Sequence, residues 1–107
     1  MNTTVPITIT DEAKDYVAEL GLQEPFQRML DHTVASILGL RELRVSLQPA
    51  YDVGAPCVLL DAITPPPPAG RYDPTEDEWG RWKMSTFPPE VFQHFVLLVA
   101  YGPADAR

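Results

Sequence analysis

The side chains that most often carry protein chemistry are scarce in this 107-residue chain, which holds two histidines, His32 and His94, and one cysteine, Cys57. No two of the three stand at the spacing of a metal site or of a nucleophile with its base. One cysteine cannot close a disulfide within the chain, and Cys57 lies in an apolar run where a small buried thiol is common. The sequence therefore predicts no metal site, no catalytic set and no cofactor.

Two weaker arrangements of polar side chains remain. Ser36 follows His32 by one helical turn, but no carboxylate is placed to orient the imidazole, so the pair is interpreted as a surface coincidence. Asp61 lies inside an apolar strand. Together with Tyr51 and His94 it would supply the polar contacts of a pocket between helices and sheet, as a small-ligand binder or an enzyme requires.

The densest charged cluster consists of Asp73, Glu76, Asp77 and Glu78. Neighbouring side chains on a helix project roughly 100° apart and cannot converge on one ion. Asp73 as N-cap, Pro74 at the first helical position and Glu76 two residues later match a capping box. The cluster is therefore interpreted as the start of a helix, and the isolated glycines of the chain form no phosphate loop.

Aromatic residues gather in the C-terminal half of the chain. Trp79 and Trp82 lie three residues apart, on one face of the predicted helix. Rings of this kind are enriched at protein interfaces, although the same spacing also suits two indoles that cover a sheet as core. The candidate partner-binding surface predicted here comprises Tyr72, Trp79, Trp82, Phe87 and Phe92.

Two helices are predicted in the N-terminal part of the chain. The first follows Thr10 as N-cap and ends before Gly21, while the second begins near Pro25 and ends at Gly39. In both, apolar residues recur at i, i+3 and i+4. Residues 5–10 fit either a short edge strand or an extended arm.

The remaining elements define the fold class. Residues 43–47 and 57–63 should form an antiparallel hairpin, and residues 92–101 read as a strand that is apolar on both faces. The order predicts an α+β fold, with two N-terminal helices, then β-β-α-β, and the helices packed on one face of a small, mostly antiparallel sheet. The favoured strand order is 2-1-3, and the alternative sets the last strand parallel beside the second. Residues 1–107 are predicted to form a single α+β domain.

Residues 7–13, Ile-Thr-Ile-Thr-Asp-Glu-Ala, are similar to the start of the A-type iron–sulfur carrier proteins. The resemblance implies a strand that leads into a capped helix. Those carriers hold their cluster with three cysteines, and this chain has one, so the resemblance implies no shared function.

Charge and hydropathy exclude several classes of partner. Fifteen acidic residues against eight basic ones give a formal net charge of −7 at pH 7, which repels nucleic acid. The longest apolar run, residues 95–101, is far shorter than the ~20 residues of a membrane span. The first residues lack the features of a secretory signal, so a cytoplasmic location is expected.

The sequence predicts a small acidic bacterial-type protein that binds other proteins without catalysis. It would act as an antitoxin-like or immunity-like partner of a basic protein, or as a homodimer formed through the last strand. The alternative is a small-ligand binder or enzyme whose pocket is lined by Tyr51, Asp61 or His94.

Overall fold

The computed structural model describes residues 5–37, 39–49, 56–66 and 74–101. Four helices and a four-stranded sheet confirm the α+β class. In chain order the elements are β1 (Ile7–Ile9), α1 (Asp11–Leu20), α2 (Gln23–Ser36), β2 (Glu42–Gln48), β3 (Cys57–Thr64), α3 (Thr75–Thr86), α4 (Pro89–Phe92) and β4 (Phe95–Tyr101).

The sheet has the order β1-β2-β3-β4 and is mixed rather than mostly antiparallel. The central pair β2–β3 is the predicted antiparallel hairpin, and each outer strand runs parallel to its neighbour. The favoured order 2-1-3 is therefore wrong, because β1 occupies the free edge of β2. The Leu43 amide donates to the Pro6 carbonyl at 3.0 Å, and the Thr10 amide donates to the Val45 carbonyl at 3.0 Å. Only the edge of β3 remains for the last strand.

The ends of the first two helices follow from local chemistry. Thr10 Oγ1 accepts from the Ala13 amide at 3.2 Å and caps α1, and Gly21 ends it in the left-handed region at φ 70°. Helix α2 begins at Gln23, two residues before the predicted start at Pro25, because the Leu22 carbonyl already accepts from the Phe26 amide.

Helix α3 begins at Thr75, one residue later than predicted, and Pro74 occupies the N-cap position without a side-chain hydrogen bond. Asp73, the predicted cap, lies outside the described residues. The Glu76 carboxylate does not close a capping box, because it accepts a hydrogen bond from the backbone of β4 instead.

Helices α1, α2 and α3 pack on one face of the sheet and form the core with it. Alternate residues of β2, β3 and β4 point into this core, as the period of a strand requires. The buried sheet residues are Leu43, Val45, Val58, Leu60, Ala62, Phe95 and Leu97, and the buried helix residues are Ala13, Val17, Phe26, Met29, Leu30 and Trp79.

The opposite face of the sheet carries no helix among the described residues. We call it the open face, and its central and edge positions are Arg44, Ser46, Leu59, Asp61, Ile63, Val96, Leu98 and Ala100. The side chains of Val96 and Leu98 are 38% and 46% exposed there.

Candidate functional site

The aromatic residues selected from the sequence do not form one exposed surface. Trp79 and Phe87 are buried in the core, whereas Trp82 and Phe92 are half-buried and pack against it. Tyr72 lies outside the described residues. Trp79 thus holds the core position that the alternative interpretation expects, and Trp82 keeps part of its ring at the surface.

A hydrogen-bond chain fixes the buried indole of Trp79. Its Nε1–H donates to Thr33 Oγ1 at 3.0 Å, and that hydroxyl donates to the Met29 carbonyl at 2.6 Å. Thr33 is fully buried, so both bonds are shielded from water. No sequence spacing could have indicated this contact, because it joins residues on α2 and α3 that are far apart in the chain.

Next to the hydrogen bonds of Trp79 and Thr33, the rings of His32 and Trp82 stack face to face. Their centroids lie 3.7 Å apart with an interplanar angle of 1°, and Phe87 meets the Trp82 ring edge-on at 5.5 Å. Partial burial of the imidazole lowers the pKa of His32 below its ordinary value. Burial therefore favours the uncharged form of this ring.

The stacked pair forms one wall of a groove between α2 and α3. The groove has a volume of about 280 Å³ and is lined by His32, Ser36, Thr75, Glu78, Trp79 and Trp82. His32 and Ser36, which lie one helical turn apart in the sequence, both line this groove, and α3 adds the carboxylate of Glu78. No hydrogen bond joins His32 to Ser36 or Glu78 among the described side chains, so the three do not form a linked nucleophile and base.

The residues proposed for a polar pocket lie apart. Tyr51 is outside the described residues, and Asp61 lies on the open face opposite Arg44. His94 instead contacts α1, where its Nδ1 lies 3.3 Å from the hydroxyl of Tyr16. That hydroxyl also donates to the Pro56 carbonyl at 3.0 Å, which ties α1 to the start of β3.

The open face is polar along β2 and apolar along β4, and along β3 it is apolar except at Asp61. Leu59 lies beside Val96, and Leu98 lies beside Asp61. Arg44 pairs with Glu42 at 3.0 Å, and the hydrogen bond to Glu42, then the charges of Glu42 and Asp61, raise the pKa of Arg44. This face thus carries one positive charge, on Arg44, and two negative charges, on Glu42 and Asp61.

The outer edge of β4 is occupied by two side chains of α3. Glu76 Oε2 accepts from the Val99 amide at 2.7 Å, and Lys83 Nζ donates to the Phe95 carbonyl at 2.9 Å. Burial lowers the pKa of Lys83, whose ammonium also lies 5.6 Å from the ring centroid of Phe92. These contacts occupy backbone groups that another strand would need in order to pair with this edge.

Acidic charge is concentrated on the helices. Apart from Glu42 and Asp61, every carboxylate side chain among the described residues lies on α1, α2, α3 or α4. The molecule therefore has an acidic helix layer and a nearly neutral, partly apolar sheet face.

Within the described ranges, no three His, Cys, Asp or Glu side chains come close enough to share a metal ion. No helix in that part of the chain is long and apolar enough to cross a membrane. The chain matches no family model, no curated protein and no solved structure.

Proposed function

We propose that this chain is a non-enzymatic interaction protein that associates with a second copy of itself through the open face. The observation that carries the proposal is the row of large apolar side chains on β3 and β4, which no helix covers in the described structure. Leu98 is 46% exposed and Val96 38%, whereas the other face of the same sheet packs against the helices.

The size of the open face predicts a weak dimer. Seven-residue strands are about 23 Å long, and β2, β3 and β4 together are about 14 Å wide. That footprint is smaller than the roughly 800 Å² per partner of a standard interface. Covering one half-exposed Leu or Val contributes about 1 kcal/mol. The two such side chains of each copy together contribute about 4 kcal/mol, so we expect a dissociation constant in the millimolar range or weaker.

Charge favours a second copy over a basic protein at this surface. Two open faces in contact place the acidic helix layers on the outside of the dimer, where they are farthest apart. A basic partner would instead be drawn to the helix layer. The contacts of Glu76 and Lys83 with the edge of β4 favour packing through the face rather than pairing through the edge.

The test is the dependence of mass on concentration, measured by sedimentation equilibrium. The wild-type mass should rise from monomer towards dimer as concentration increases. Leu98→Asp should remain monomeric because it places a second carboxylate beside Asp61 in the contact. Met84→Asp is the matched control, since Met84 is 55% exposed on α3 and faces away from the sheet.

Circular dichroism must show that both variants keep the fold. A wild-type monomer at the highest concentration would overturn the proposal, as would equal effects of the Leu98 and Met84 variants.

A further inference from the structure

We propose that the groove between α2 and α3 binds the guanidinium group of an arginine. This site lies in the helix layer and goes beyond the proposed dimer, because it faces away from the open face and needs none of its residues.

The size of the groove limits its ligand. Its volume of about 280 Å³ lies just below the ~300–1,000 Å³ of sites that hold whole small molecules. One long side chain fits this space. We take the occupant to be a single functional group with a short apolar stem.

The walls of the groove suit a flat cation. Trp82 and His32, whose lowered pKa favours the uncharged ring, supply a stacked aromatic wall. Guanidinium groups pack well on such surfaces. The same helix layer already holds one guanidinium in this way, since the Cζ atom of Arg28 lies 5.1 Å from the ring centroid of Phe87.

The groove offers hydrogen-bond acceptors to a cation. Glu78 supplies a carboxylate and Ser36 a hydroxyl, and both side chains are exposed. Ser36 is the last residue of α2, and the final turn of this helix has no basic residue to balance the negative end of its dipole. A carboxylate beside an aromatic wall favours arginine over lysine, because the planar fork can stack and pair at once.

Two kinds of ligand carry a guanidinium group: free arginine, and an arginine side chain of a basic protein. The test uses N-acetyl-arginine amide, which mimics the side chain in a protein, and free arginine. N-acetyl-citrulline amide is the uncharged control of the same shape. Both tryptophans of the chain line the groove, so intrinsic fluorescence and the indole signals in NMR report on it directly.

We expect saturable binding of the capped arginine and none of the citrulline compound at the same concentration. Glu78→Gln should weaken binding about fivefold, the factor for one partly exposed ion pair. Glu12→Gln on α1 should leave it unchanged. Tighter binding of the capped form than of free arginine assigns the site to a protein partner, and the reverse order assigns it to the free amino acid.

Equal binding of the citrulline compound, an unaffected Glu78→Gln variant, or no change in either signal would overturn the proposal. The monomeric Leu98→Asp variant should bind arginine as wild type does. A negative result for arginine binding can therefore be told apart from a negative result for dimer formation.

Discussion

Replacement of Thr33 by Val removes the hydroxyl that links α2 to α3 while it preserves the shape of the side chain. Thr33 is fully buried, and Trp79 is only 3% exposed, so the orphaned indole N–H cannot reach water. Leaving a buried donor without a partner costs ~1–3 kcal/mol. The Met29 carbonyl loses a weaker second bond at the same time.

We therefore expect Thr33→Val to lower the free energy of unfolding by about 2 kcal/mol. For a chain of this length the melting temperature should fall by roughly 10 °C. Urea unfolding followed by far-UV circular dichroism measures the loss. Thr8→Val is the matched control, because Thr8 is exposed on β1 and the same change there should stay within about 0.5 kcal/mol.

A double-mutant cycle with Trp79→Phe isolates the hydrogen bond itself. Trp79→Phe should cost about 1–2 kcal/mol less in the Thr33→Val background than in the wild type, since the orphaned donor is then gone. Additive effects, or a Thr33→Val variant as stable as the wild type with an unchanged urea slope, would refute the assignment of a stabilising buried bond.

Three further predictions concern the helix layer. Thr10→Ala should lower the free energy of unfolding by about 1 kcal/mol through loss of the α1 cap, and Thr10→Ser should retain most of it in urea unfolding. Since the pKa of His32 is lowered in the folded state, the unfolded chain takes up the proton first, so stability should fall as pH drops below 6.5. His32→Phe should flatten that part of the pH profile, and an NMR titration midpoint of His32 at or above 6.5 would contradict it. Glu76→Ala should expose the Val99 amide and increase light scattering on concentration, whereas Glu90→Ala should not.

Local signals in the sequence were sufficient for α1, for the presence of α2 and α3, and for the central hairpin. Thr10 and Gly21 mark the ends of α1 because capping and left-handed geometry depend on a few neighbouring residues. The alternation of apolar residues likewise places β2 and β3 with their buried faces towards the helices. Both kinds of signal act over a few residues.

Strand order and the groove depend on contacts between distant parts of the chain. The position of the last strand follows from whether residues 5–10 pair with β2, and three residues of β1 carry too little pattern to decide that. In the same way, His32 and Ser36 are visible as a helical pair, but Glu78 joins them only once α3 packs on α2.

The open face, which no helix of the described ranges covers, has its origin in the handedness of the chain. Since β2 and β3 run in opposite directions, the crossovers β1-α1-α2-β2 and β3-α3-α4-β4 would place their helices on opposite sides if both turned the same way. The helices pack on one side, so one crossover is left-handed, a turn that only about 2% of such connections take. Two right-handed crossovers would have buried the sheet between helices, and an uncommon chirality has left it accessible.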